Sequence, residues 1–258
     1  MIENSGHWLR ERVGLVTGAS SGMGFEIAVA LGVAGAKVGV NFRSNRAGAD
    51  EAVRRIIDGG GQACAIGADV SNGKDVERMF GELASAFGER IDMLVNSAGD
   101  WMDKRPIADC DEELWDQMMA VNVRSTFLCC RAAAKQMIRQ GNGAIVNMGS
   151  VAGHTGGGGG TVPYAAAKAA VHTLTRGLAR ELGPAGIRVN CIAPGMIDTP
   201  MLKDRVPQEL WQKLMGSTPL GRFGEPSEVV PMTLMLLSPA ASYITGEVIQ
   251  IDGGLLMR

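Results

Sequence analysis

The sequence is short of the residues that mark several classes of protein. It has three histidines, and its five cysteines (Cys64, Cys110, Cys129, Cys130 and Cys191) are odd in number with no C-x-x-C spacing. That pattern supplies neither a disulfide framework nor a metal-ligand set, and reads as reduced, mostly buried thiols of a cytosolic protein. Long hydrophobic runs are missing too. The longest apolar stretch, Ile27 to Ala36, is interrupted by Gly32 and Gly35 and is too short to span a bilayer. The N-terminal MIENSGHWLRER is polar and lacks the apolar centre of a secretory leader. No basic block stands out in a chain of net charge −2 and pI near 6.0. This argues against a nucleic-acid partner or an anionic membrane surface. A cytoplasmic location is the expectation that remains.

What is present is enough apolar residue, 46% of 258, to fill a core. Short apolar runs alternate with longer amphipathic ones. VGLVTG from Val13, KVGVNF from Lys37, ACAIGAD from Ala63, DMLVNSAG from Asp92, AIVNMGS from Ala144, IRVNCIAPG from Ile187 and EVIQIDGG from Glu247 read as strands. They are nearly continuous in apolar residues, as parallel strands covered on both faces are. Helical stretches fall between them at roughly 22–34, 45–58, 72–87, 111–139, 161–183, 200–216 and 226–237. The alternation predicts an α/β fold with one doubly wound parallel sheet of seven strands and right-handed crossovers. No linker or repeat divides the chain, so residues 1–258 are expected to form one domain. In the 111–139 stretch, Leu114, Met118, Val121, Ser125 and Leu128 form one stripe, while Trp115, Met119, Ala133, Ala134 and Met137 add apolar area. A helix apolar beyond one face needs two partners: the sheet, and either a covering loop or a second subunit.

Three features carry chemistry. The first strand runs into TGASSGMG, Thr17 to Gly24. A tight glycine turn that opens a helix presents backbone N–H groups and the positive helix end to a pyrophosphate. Its spacing is G-x-x-x-G-x-G, not the common G-x-G-x-x-G. The second strand ends Asn41-Phe42-Arg43-Ser44 with no carboxylate for a ribose 2′-hydroxyl. Arg43, with Ser44 beside it, suits a 2′-phosphate instead, which predicts NADP(H) over NAD(H). Tyr164 and Lys168 stand four apart and share a helix face. An ammonium beside a phenol favours the phenolate, and moving tyrosine from about 10 towards 7 takes about 4 kcal/mol of differential stabilisation.

TGASSGMG, NSAG from Asn96, GSVAG from Gly149, YAAAK from Tyr164 and the Pro194-Gly195 turn occur in one order over essentially the whole chain. In this the chain resembles the classical short-chain dehydrogenase/reductase family, and its later segments look like those of bacterial 3-oxoacyl-carrier-protein reductases and related sugar or alcohol dehydrogenases. The resemblance implies a Rossmann-type fold and an oxidoreductase that moves hydride between NADP(H) and a carbonyl or alcohol carbon. It places Gly18, Ser20, Ser21, Gly22, Met23 and Gly24 at the pyrophosphate, and Asp69 and Val70 at the adenine. It places Asn96, Ala98 and Gly99 at the adenosine ribose and the fourth-strand turn, and Pro194, Gly195, Ile197 and Thr199 at the carboxamide. Ser97 stands where the motif has a second Asn, which should weaken the turn's hydrogen bonding. The catalytic tetrad falls on Asn122, Ser150, Tyr164 and Lys168: Tyr164 donates the proton, Ser150 steadies the oxygen, Lys168 tunes Tyr164 and holds the nicotinamide ribose, and Asn122 keeps a helix kink and a water.

The interval from Ser150 to Tyr164 is one residue longer than the carrier-protein-reductase pattern and contains the run Gly156 to Gly160. Trp101, His154, Met196 and Trp211 are the candidate substrate-pocket residues, and 197–217 is expected to form a mobile lid whose apolar face closes over the ligand. The positions expected to carry basic docking residues for a carrier protein hold Gly141 and Ala185, with Arg139 and Arg188 displaced from them. This favours a small free ketone, ketoester or sugar-type alcohol over an acyl carrier. A catalytically silent relative would be expected to lack Tyr164 or Lys168. The family's habit of pairing the 111–139 and 161–183 helices implies a homotetramer.

Overall fold

The computed structural model describes residues 8–257. Strands β1 (Val13–Thr17), β2 (Lys37–Phe42), β3 (Gln62–Gly67), β4 (Met93–Asn96), β5 (Gly143–Met148), β6 (Ile187–Pro194) and β7 (Val248–Ile251) form one sheet. Its order is β3-β2-β1-β4-β5-β6-β7, and every neighbouring pair is parallel. Each parallel step needs a crossover, and helices supply it. These are α1 (Gly22–Val33), α2 (Arg46–Asp58), α3 (Gly73–Phe87), α4 (Glu112–Met119), α5 (Ser125–Gln140), α6 (Ala152–Thr155), α7 (Val162–Leu182), α8 (Pro200–Arg205), α9 (Trp211–Gly216) and α10 (Val230–Leu237). None is long and apolar enough to cross a membrane.

Two cores lie on the two faces of the sheet. Ile27, Leu31, Ile56 and Leu236 of α1, α2 and α10 pack with Val38 and Val40 on one side. Met79, Leu83, Leu128, Met137 and Leu182 of α3, α5 and α7 pack with Leu15 and Val189 on the other. All five residues of β1 are buried, which explains why its sequence shows no polar alternation. The sheet's chain order reverses between β1 and β4, where crossovers leave towards opposite faces. The crevice outside the carboxyl ends of these two strands is where such sheets bind ligands. Asp92 anchors the far end: its carboxylate meets Arg12 and Arg90 at 2.6 Å each and accepts from the Val13 N–H at 3.0 Å.

Two expected helices are broken in their interior, and the 226–237 stretch opens with a 3₁₀ turn at Pro226–Val229 before α10. The 111–139 stretch is α4, a π-helical turn at Ala120–Arg124, and α5. The 200–216 stretch is α8, a 3₁₀ turn at Gln208–Leu210, and α9. Pro207 causes the second break by forcing Val206 into an extended conformation (φ −114°, ψ 115°).

Candidate active site

The helix ends around the crevice differ in how they are capped. Asn45, Asn72 and Asp111 cap α2, α3 and α4 with side-chain oxygens. By contrast, α1 begins at Gly22 with no side-chain cap and no acidic residue in its first turn. Its orphan N–H groups and positive dipole end are therefore available to an anion. The turn before it is held close to β4: Gly18 has φ +62°, and a Cβ there would stand 2.8 Å from the Ala98 Cα. Gly24 leaves room for the Gly18 carbonyl, which an added Cβ would meet at 2.5 Å. The result is a cleft of about 320 Å³ that brings together Gly18, Ser20 to Gly24, Arg43, Ser44, Asp69, Val70, Ala98, Gly99 and Thr199. Arg43 is exposed at its rim and takes part in no ion pair among the described residues.

Asn96 does not line this cleft. It is buried and donates to the Asn147 Oδ1 at 2.8 Å, so it braces β4 against β5. Thr17 and Asn41 brace the cleft in ways the sequence reading missed. The Thr17 hydroxyl accepts from both the Ser97 and Ala98 N–H groups at 3.1 Å, so the β4 turn is tied to β1 without a second Asn. Asn41 accepts from the Gly18 N–H at 3.2 Å and donates to the Ile66 and Ala68 carbonyls. A polar residue at the end of an otherwise apolar strand was the available signal for both.

A second cavity, of about 290 Å³, opens beside the first and shares Met23, Thr199 and Met201 with it. Ser150 and Tyr164 line it, together with Pro194, Gly195 and Ile197, which the family resemblance assigns to the nicotinamide carboxamide. Lys168 is buried at 5% exposure and donates to the Met148 carbonyl at 2.9 Å, with its ammonium 5.7 Å from the centroid of the Tyr164 ring. Asn122 is fully buried at the centre of the π-helical turn. Its amide donates to the carbonyls of Asp100 (2.7 Å) and Met118 (3.0 Å), and its oxygen accepts from the Asp100 N–H (3.2 Å). Gly99 joins these groups, because a side chain there would meet the Asn122 oxygen at 2.8 Å and the Lys168 nitrogen at 3.1 Å.

The electrostatics differ from the sequence expectation. Burial pushes the Tyr164 phenol up to about 12, against the pull of the Ser150 hydroxyl, and the Asp100 carboxylate raises it further. Burial likewise pushes the Lys168 ammonium down to about 8. The lysine therefore does not produce a low phenol pKa here, since it is turned towards Met148 and partly neutralised by its own desolvation.

Of the four candidate pocket residues, Trp101 and Met196 line the cavity, Trp101 meeting the Tyr164 ring edge-on at 6.4 Å. His154 and Trp211 do not. His154 packs on the His172 ring at 4.3 Å, beneath the cavity wall. The Trp211 indole donates to the Val206 carbonyl at 3.1 Å and packs on Phe223 inside the lid's own small core. The lid's apolar face is supplied instead by Met201, Leu202, Val206 and Leu214.

The comparisons with known proteins agree with this arrangement. The profile of the family described as enoyl-(acyl carrier protein) reductase matches residues 18–256. A 3-oxoacyl-(acyl-carrier-protein) reductase of Synechocystis sp. is 39% identical over 250 residues, covering 96% of this chain and 98% of its own. The protein of the same description from Staphylococcus aureus is 39% identical over 243 residues, covering 94% and 97%. Among solved structures, a 7α-hydroxysteroid dehydrogenase complexed with NADH and 7-oxo glycochenodeoxycholic acid superposes with a TM-score of 0.93 at 34% identity, covering 98% of each chain. A dehydrogenase/reductase from Sinorhizobium meliloti 1021 gives 0.91 at 34% identity and the same coverage. Fold, crevice and paired cavities define an oxidoreductase of the Rossmann type. The chain belongs to the short-chain dehydrogenase/reductase family.

Proposed function

We propose that this chain is an NADP(H)-dependent carbonyl reductase, or alcohol dehydrogenase in reverse, acting on small free ketones, ketoesters or sugar-type alcohols in the cytoplasm. The observation that carries the reading is the junction of two cavities: an anion-ready glycine turn in one and Ser150 with Tyr164 in the other. The cleft fits the dinucleotide because its walls approach too closely for side chains at Gly18 and Gly99, while α1 leaves its first N–H groups free of side-chain caps. Arg43 would pair with a 2′-phosphate at the rim. When bound, the nicotinamide supplies or accepts the hydride. Tyr164, kept protonated by burial, gives its phenolic proton to the carbonyl oxygen, and the Ser150 hydroxyl hydrogen-bonds that oxygen as charge develops. Lys168 holds a positive charge below the phenol and orients the nicotinamide ribose. Asn122 fixes the loop from Gly99 to Asp100 against the π-helical turn.

A second reading, reduction of acyl groups on a carrier protein, is favoured by the descriptions of the curated relatives. The surface gives it little support. Gly141 ends α5 in the left-handed region, and Ala185 lies in a 3₁₀ turn. Arg188 is not displayed for docking; it donates to the Leu236 (2.6 Å) and Ser238 (3.0 Å) carbonyls and so caps the end of α10. The test is kcat/KM for a free 3-ketoester against the same acyl group on its carrier. Comparable values support the small-substrate reading. A carrier preference of about a hundredfold, or about 3 kcal/mol of transition-state binding, establishes the other.

A further inference from the structure

The carbonyl cavity is lined by neutral side chains with one exception, Lys104. Of the lid's own cations, Lys203 pairs with Asp198 and Arg205 with Asp100, each at 3.0 Å, and Lys213 is not among the residues that line the cavity. Lys104 takes part in none of the ion pairs among the described residues. Its ammonium stands 4.7 Å from the centroid of the Trp101 ring, and Trp101 in turn meets the Tyr164 ring. A chain of contacts thus links the cation to the proton donor along one wall of the cavity.

The loop that presents Lys104 is fixed from several directions. Met102 adopts φ +48°, an uncommon conformation for a side chain of its size, and its N–H donates to the Asp100 Oδ1 at 2.9 Å. The Arg105 guanidinium holds Asp111 at 2.6 Å, and the Arg105 N–H donates to the Gly160 carbonyl at 3.0 Å. This last contact gives the glycine run a role. Gly160 has φ +85°, and a Cβ there would stand 2.8 Å from the Arg105 nitrogen, so only glycine lets the loop seat against the segment before α7. Strained backbone persists where its surroundings over-determine it, and such positions cluster at ligand-binding sites. Here the strain lies between Trp101 and Lys104.

Lys104 is exposed at the cavity's edge, its ammonium stands over the Trp101 ring and no carboxylate pairs with it among the described residues, so it can form a charge-assisted contact with an anionic group of a ligand in the cavity. We infer that Lys104 determines substrate selection: the cavity takes oxo acids, carbonyl compounds with one carboxylate on the arm remote from the reacting carbon, in preference to their neutral esters. The inference rests on the reading of this cavity as the carbonyl site. It narrows the substrate class without altering the chemistry, in which hydride goes to the carbonyl carbon and the Tyr164 proton to its oxygen.

The experiment uses matched pairs, 4-oxopentanoate and 5-oxohexanoate against their methyl esters, with oxidation of NADPH and of NADH followed for the unmodified protein, Lys104→Gln and Lys104→Glu. For at least one pair the acid should exceed its ester about tenfold in kcat/KM. Lys104→Gln should bring that ratio near one, through KM for the acid, and Lys104→Glu should invert it. Esters reduced as well as acids by the unmodified protein, or a ratio indifferent to both substitutions, would overturn the inference while leaving carbonyl reduction standing. No turnover of any acid or ester with either nicotinamide overturns the carbonyl-site reading and the inference with it.

Discussion

At the scale of single residues, Tyr164 and Lys168 have separate pH signatures. The phenol, pushed up to about 12, stays protonated throughout the usual assay range and remains a proton donor. The ammonium, pushed down to about 8, loses its charge within that range. In the reductive direction kcat/KM should therefore fall as pH rises through about 8, and a profile flat to pH 10 would contradict the assignment of the limb to Lys168. Tyr164→Phe should lower turnover by about a thousandfold or more with cofactor binding nearly intact, as seen by fluorescence titration, because only the proton is removed. Arg43→Ala should weaken NADPH binding about tenfold or more and leave NADH little changed, since a charge-assisted pair to the extra phosphate is the difference between them. Equal affinity of the unmodified protein for both cofactors would remove the basis of that expectation. These residues were legible because each lies in a short motif whose spacing reflects one turn or one helix face. The pKa values were not, because they depend on burial, and burial of Tyr164 and Lys168 is set by β5, β6 and the Gly99 turn, elements distant in sequence.

At the scale of elements, every expected strand forms: the inner strands are buried on both faces and announce themselves as bounded apolar runs, and the edge strands β3 and β7, only partly buried, keep enough apolar residues to be read the same way. Helix breaks are harder to read. The apolar pattern of 111–139 continues through Ala120–Arg124, and the π-helical turn is stabilised by contacts from outside the helix, above all the Asn122 amide to the Asp100 carbonyl. Pro207 is a stop signal within the expected 200–216 helix, masked by the apolar residues around it. The histidine and tryptophan expected in the pocket failed for a related reason: position along a loop does not reveal which way a ring turns, and His154 found His172 while Trp211 found Phe223. The π-helical turn makes its own prediction. Asn122→Ala removes the side-chain partner of the half-buried Asp100 N–H and carbonyl, which should lower unfolding stability by about 1 kcal/mol or more. A urea titration would show a lower midpoint with an unchanged slope. A midpoint equal to that of the unmodified protein would mean that water or a regular helical turn replaces those bonds at no cost.

At the scale of the whole molecule, two regions among the described residues each carry several exposed apolar side chains. On the α4–α5–α7 side, Trp115, Phe127, Ile138 and Val162 are exposed, and an arginine, Arg131, lies 5.5 Å over the Phe127 ring. Near the last strand, Leu220, Tyr243 and Met257 are exposed. Single exposed apolar side chains are ordinary, but several on adjoining helices suit an isologous contact, in which each residue is buried twice about a two-fold axis. Two such regions, one on the α4–α5–α7 helices and one near the edge strand β7, predict two different axes and hence a homotetramer. Light scattering at micromolar concentration should give four times the 27.1 kDa chain mass. Phe127→Glu places a charge at the first region without disturbing either core, since Phe127 is already exposed within the chain. It should halve the mass or reduce it further while leaving the far-ultraviolet circular dichroism unchanged, because burying a phenylalanine contributes about 1.5–3 kcal/mol at each copy and a carboxylate opposes it. A monomeric mass for the unmodified protein would show that these residues are isolated surface groups, and the second partner of the long helix would then be solvent.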